Sequence, residues 1–213
     1  MTLTTDDIRA DLMLTDDELA AIAIDRDTYW PADLPTVDTD DPADLLSAMI
    51  RGRRSLLVRG LIDDEGTADG SVEMLGDHLA GATHTITVYL GGPDLLRVSP
   101  VLASVHYPMA GYWVAETITP GGVHAFTNNP RDIHIAYLQR IMQEAVSTGL
   151  PPEGVTGDEP WFVCVAVSDG QQTTIHAARK GEYQTAATAS DGTVSSRITR
   201  LFDVDTFARS LPD

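Results

Sequence analysis

The stretch His84-Thr85-Ile86-Thr87-Val88-Tyr89-Leu90 alternates apolar and polar residues without a break. A strand sends successive side chains to opposite faces, so Ile86, Val88 and Leu90 point inward and Thr85, Thr87 and Tyr89 outward. Gly91-Gly92-Pro93-Asp94 is turn chemistry, and Leu95–Tyr107 reads as a second strand, with Pro100 implying an edge or a bulge. Pro108-Met109-Ala110-Gly111 turns the chain into a third strand, Tyr112–Ile118. Pro120-Gly121-Gly122 makes a hairpin into a fourth, Val123–Thr127. Asn129 and Pro130 cap a helix to about Ser147, with Ile133, Tyr137, Leu138, Ile141, Met142 and Ala145 inward. Four strands joined by short turns and followed by a helix imply an antiparallel meander with the helix on one face.

The pattern returns after Gly149–Pro160, a linker with three prolines and three glycines. Trp161–Val167 is a continuous apolar run, as in a strand covered on both faces. Turns at Ser168-Asp169-Gly170, Lys180-Gly181-Glu182 and Asp191-Gly192 separate it from Gln172–Arg179, Tyr183–Ala189 and Val194–Phe202. Asp203 caps a terminal helix carrying Val204, Phe207, Ala208 and Leu211. The expected fold is α+β: two pseudo-repeated meanders, each followed by a helix, form a quasi-two-fold sheet with N-terminal helices packed on it. The boundaries are a helical lead-in at 1–82, a first unit at 83–148, the linker at 149–160 and a second unit at 161–213.

In the lead-in, Thr15-Asp16-Asp17-Glu18 is a capping box, followed by Leu19, Ile22 and Ala23 on one helix face. Asp25–Thr39 is a loop punctuated by Trp30-Pro31 and Leu34-Pro35, with Tyr29 and Trp30 pinning it to the body. Asp41-Pro42 starts the next helix, whose apolar stripe is Leu45, Leu46, Met49 and Ile50, and whose C-terminus is marked by Arg51-Gly52-Arg53-Arg54. Ser55–Ile62 reads as either an extension of that helix or a strand. Ser71 caps a short helix bearing Val72, Leu75 and Leu79, closed by Gly81.

The 213 residues include 32 acids and 14 bases, a net charge of −18. An acidic surface repels phosphate backbones, so no nucleic-acid partner is expected, while basic partners are steered towards it. An acidic proteome gives the same balance. The charge is uneven: residues 1–45 hold 13 acids and two arginines, a net of −11, and the remainder is −7. The one basic cluster is Arg51, Arg53, Arg54 and Arg59, which meets either an acidic partner or the chain's own Asp-rich segment. The Asp-rich N-terminus has no signal-peptide pattern and no apolar run approaches the ~20 residues of a membrane span. The single cysteine, Cys164, excludes an internal disulfide. The expected location is the cytoplasm, with no membrane insertion and the oligomeric state open.

No G-x-S-x-G, GxGxxG or phosphate-binding loop occurs, and neither catalytic residues, metal ligands nor a cofactor are assigned. Cys164 reads as an inert core thiol, His134 as a hydrogen-bonded group at the core edge, and Asp16-Asp17 as cap chemistry and solvated surface. The turn Tyr107–Trp113 stands out because Tyr107, Met109, Tyr112 and Trp113 gather at a hairpin end. It either presents interface anchors or folds under the N-terminal helices.

The order of parts resembles the EspG-type chaperones of the type VII (ESX) secretion systems of actinobacteria. The resemblance is carried by Leu14-Thr15-Asp16-Asp17-Glu18-Leu19, by Ser55-Leu56-Leu57-Val58-Arg59-Gly60-Leu61, and by the helix, meander and helix that follow. It implies an α+β protein with a quasi-two-fold sheet that binds the helical tip of a secreted partner in the cytosol. The chain departs from the family in its short linker, 149–160, and its short turn at Pro108–Gly111. The first expectation is therefore a non-catalytic chaperone or adaptor. The alternative is a small-molecule-binding or hydrolytic enzyme with His106, His124, His176 and Glu116 assembled between the halves.

Overall fold

In a computed structural model of the chain, the described residues are 12–91, 101–109, 112–149, 162–188, 193–199 and 202–212. They form five α-helices and a nine-stranded antiparallel sheet, an α+β fold. In chain order the elements are β1 (Met13–Thr15), α1 (Asp16–Ile24), α2 (Pro42–Val58), α3 (Gly70–Met74), β2 (His84–Gly91), β3 (Val101–Met109), β4 (Tyr112–Ile118), β5 (Val123–Asn129), α4 (Arg131–Ser147), β6 (Phe162–Asp169), β7 (Thr173–Arg179), β8 (Glu182–Thr188), β9 (Val194–Thr199) and α5 (Val204–Ser210). The linker 150–160 and the turn residues Ala110 and Gly111 lie outside the described residues. The chain divides into two compact units, one of Met1–Thr83 with Val114–Asn128, the other of His84–Trp113 with Asn129–Asp213.

In the first unit, Thr15 ends β1 and caps α1. Its hydroxyl accepts from the Glu18 N–H at 3.3 Å, while the Glu18 carboxylate accepts from the Thr15 N–H at 2.9 Å. Such a reciprocal cap satisfies two orphan donors and is worth about 1 kcal/mol. β1 pairs with β5, setting Leu14 opposite His124. α1 buries more than one stripe, since Leu19, Ala20, Ala21, Ile22 and Ala23 are all nearly inaccessible. α3 is capped by Asp69, two residues before the expected Ser71, and widens into a π-helical turn at Leu75–Leu79. At Gly76 that turn receives the Arg26 guanidinium, which bonds Asp77 at 2.9 Å.

α2 corrects two expectations. It runs through the arginine cluster to Val58, with Arg59 as C-cap and Gly60 in the left-handed region at φ 67°, so Ser55–Val58 extends the helix and Ile62 forms an isolated bridge with Ala68. Its buried face is Ala48, Gly52 and Leu56, whereas Leu46 and Ile50 are exposed. The reason is the close approach to α1: a Cβ on Gly52 would stand 1.9 Å from the Asp17 carbonyl oxygen. The small residue, not the large ones, defines the contact.

In the second unit the strand neighbours run β3-β2-β6-β7-β8-β9. β2 and β6 pair along their whole length, from His84 opposite Asp169 to Gly91 opposite Phe162. The β2–β3 register shifts between Val88 and Tyr89. Pro100, the residue that implied an edge or a bulge, lies outside the described residues. The core gathers Ile86, Val88, Val163 and Val165 with Leu138, Ile141 and Met142 of α4 and Phe207 of α5. Asp203 caps α5 as expected, accepting from the N–H groups of Asp205 and Thr206. On α4 the expected inward set is corrected at two places. Ile133 and Tyr137 are 54% and 37% exposed, and His134 takes the inward position.

Gly52→Ala is expected to force α1 and α2 apart at about 3 kcal/mol, lowering the thermal midpoint by on the order of 10 °C. Gly60→Asn, in open space at a left-handed position Asn tolerates, should shift it far less. Equal midpoints for Gly52→Ala and wild type in a calorimetric scan would rule out the tight α1–α2 contact.

Candidate functional site

The largest assembly of titratable groups in the first unit is sealed inside it. Alternation along β5 turns His124 and Phe126 inward, Glu116 lies inward on β4, and Asp16 is the first residue of α1. All three ionisable side chains are 0% exposed. His124 Nε2 is 2.5 Å from Asp16 Oδ1, and Nδ1 is 2.6 Å from Glu116 Oε1. The Trp30 indole N–H donates to the same Glu116 oxygen at 2.8 Å. The backbone N–H and hydroxyl of Thr36 both donate to Asp16 Oδ2 at 2.6 Å. Gly122, with φ 70°, leaves room for Asp16, since a Cβ there would sit 2.5 Å from Oδ2. Burial alone would push the His124 pKa down, but hydrogen bonds to Asp16 and Glu116, with their charges, carry it up to about 9. Burial likewise favours the neutral form of Asp16, yet the bonds from His124 and Thr36 hold it below the usual carboxylate range. His124 is thus an imidazolium donating from both nitrogens.

The expectation that Asp16 belongs to solvated surface is corrected by this arrangement. Of the alternative enzyme set, His124 and Glu116 come together, with both imidazole nitrogens already engaged. His106 and His176 have other partners. His106 Nδ1 meets His134 Nδ1 at 3.0 Å, and its Nε2 meets the Ser104 hydroxyl at 3.0 Å. His176 bonds the Tyr183 hydroxyl at 2.7 Å and the Ser210 hydroxyl at 3.2 Å. Burial lowers the pKa of His106 to about 3, helped by His134, and that of His176 to about 4. Burial raises Cys164 to about 11, consistent with an inert thiol.

The candidate turn residues divide. Tyr107 and Trp113 are 1% and 0% exposed, so neither is a surface anchor. The physical reason is that β3 continues to Met109 and, from Ser104 through Tyr107, is buried at every position, whichever face a side chain takes. Trp113 packs against His134 with ring centroids 5.8 Å apart and lies under the Arg131 guanidinium at 5.9 Å. Met109 and Tyr112 are half-buried at the strand ends.

The arginine cluster meets the chain's own acids. Arg51 grips Asp17 with two bonds at 2.7 and 2.8 Å, Arg53 reaches Asp25 at 3.3 Å, and Arg59 holds buried Glu18 at 2.7 Å. Arg54 is exposed and has no ion pair among the described residues.

Two surface features of the first unit went unread in the sequence. One is the outer face of α2, where Leu46, Ile50, Leu57 and Val58 are 55%, 48%, 41% and 86% exposed. The other is a cleft of about 560 Å³ between α1, the loop 25–41 and the start of α2, with Tyr29, Trp30, Leu34, Val37 and Leu45 in its lining. Proline spacing identified the loop but carries no information about the hollow beside it. Among the described residues no group of three His, Cys, Asp or Glu side chains is arranged to hold a metal ion, and no helix is long and apolar enough to cross a membrane. The chain matches no protein-family model and no curated protein.

The two kinds of buried histidine titrate in opposite senses. The folded pKa of His124 lies above its unfolded value, so its contribution, on the order of 3 kcal/mol, is complete below about pH 6.5 and lost as pH rises through about 9. His106 and His176 lie below theirs, so protons excluded by the folded second unit weaken it as pH falls from about 6.5 towards 4. Hydrogen exchange should therefore show α1 and β5 losing protection towards pH 9, and β7 and α4 towards pH 5. His124→Gln should abolish the alkaline slope; its survival in that variant would assign the slope to other groups.

Proposed function

We propose that the chain is a protein-binding protein without chemistry of its own, a cytosolic chaperone or adaptor of the EspG type that receives a helical, secreted partner of a type VII system. The observation that carries this reading is the outer face of α2. Leu46, Ile50 and Leu57 fall within an arc of about 40° at 100° per residue. In a chain of net charge −18, such a stripe is ready for helix-on-helix packing.

Two further points favour the reading. The element order, four strands then a helix and again four strands then a helix, supports the reading. The titratable groups offered for an enzyme are consumed in structure: His124 and Glu116 are inaccessible, and both nitrogens of His124 are bonded. Arg51, Arg53 and Arg59 of the arginine cluster brace α2 against α1.

Size-exclusion chromatography with purified helical secretion substrates of a type VII system should yield a co-eluting complex. Leu46→Asp combined with Ile50→Asp should weaken it about tenfold or more without unfolding the protein, since both side chains are already in water. Folded wild-type protein, verified by circular dichroism, that elutes alone from every substrate would overturn the proposal.

A further inference from the structure

The cleft beside α1 has a chemistry of its own. Its floor and walls are Ala20 and Ala23 of α1, Leu34 and Val37 of the loop, and Leu45 of α2, with the Tyr29 ring at the rim, 72% exposed. Around it the chain is strongly acidic. Between residues 25 and 45 stand seven aspartates, at 25, 27, 33, 38, 40, 41 and 44, against one arginine. That arginine, Arg26, is committed to Asp77, and Asp25 to Arg53. Asp27, Asp33, Asp38 and Asp40 are exposed or half-exposed, and none is in an ion pair among the described residues. A cleft with Leu34, Val37 and Leu45 in its lining, Asp33 beside them and further exposed aspartates along the same loop complements a segment with an apolar face and cationic flanks.

The hollow is also held open. The loop is tied by the Trp30 indole to Glu116, by Thr36 to Asp16, and by the Tyr29 carbonyl accepting from the Gly81 N–H at 2.9 Å. The first two ties end on the buried carboxylates that flank His124. A site whose walls are fixed before binding loses little conformational freedom when it is filled.

We propose that this cleft docks a cationic amphipathic helix of a protein partner, its apolar residues seated on Leu34, Val37 and Leu45 and its Lys or Arg residues against Asp33 and Asp40. The proposal rests on the protein-binding reading above and specifies the chemistry of the partner segment.

The test uses the full-length protein and a labelled peptide of about 18 residues, Leu at helical spacing and Lys elsewhere, long enough to be helical when bound. Two companions carry Glu in place of Lys, or the same residues in scrambled order. Fluorescence anisotropy should show the Lys peptide binding at least tenfold tighter than either companion, with amide shifts confined to residues 20–45 by NMR. Tyr29→Ala with Leu45→Ser should weaken binding about tenfold. Asp33→Asn with Asp40→Asn should do the same at low salt, whereas Asp132→Asn with Asp205→Asn, equal in charge but in the second unit, should leave it unchanged. Wild-type affinity in the Tyr29/Leu45 variant, or equal losses from the two aspartate pairs, would reduce the effect to unspecific attraction and overturn the proposal. If the secretion-substrate complex forms and ignores the cleft variants, the cleft fails while the binding role stands.

Discussion

A protonated imidazole clamped between two carboxylates organises the first unit. His124 joins β5 to the β1–α1 junction through Asp16 and to β4 through Glu116, and the same two acids hold the loop 25–41 through Thr36 and Trp30. Burying charges costs several kcal/mol per ion, and attraction offsets that only where the remaining lone pairs are also satisfied. Here Asp16 accepts three bonds from His124 and Thr36, and Glu116 accepts from His124 and Trp30. The arrangement specifies one geometry, because any slip strands an ion in an apolar interior.

The second unit is built on the opposite logic. Its buried histidines, His106, His134 and His176, are held neutral, each engaged by a hydroxyl or by another imidazole, and its order comes from apolar contact between the sheet and α4 and α5. His176 lies edge-on to Phe207 at 5.0 Å and parallel to Tyr183, so it behaves as an aromatic core residue with a polar rim. The same residue type thus serves as a cation in one unit and as a hydrocarbon-like ring in the other. The deciding factor is whether the facing elements offer carboxylates.

Much of the fold was legible because it is local. Strand alternation at Ile86 and Val88, the Thr15–Glu18 cap and the Asp203 cap depend on neighbours within a few residues. The α2 stripe was misread because leucines outweigh a glycine in any hydropathy pattern, although Gly52 is where α1 comes closest. Ile133 and Tyr137 were placed inward on periodicity, and His134 displaced them because His106 waited opposite. The buried triad was the least legible. Asp16 and His124 are 108 residues apart, and an Asp-Asp pair at a helix start looks the same whether it faces water or a strand.

Gly76 and Gly52 look alike in the sequence but differ in how freely they can change. At Gly76 the obstacle to a side chain is the far end of Arg26, which can swing into solvent and give up only a partly exposed ion pair with Asp77, a loss of at most about 1 kcal/mol. At Gly52 the obstacle is backbone, and no change of neighbouring side chain can move it. Drift can therefore pass through the π-helical turn as paired changes at 26 and 76, while position 52 is closed to it. Among natural variants of this chain, the helix crossing would stay fixed while the turn beside it diversified.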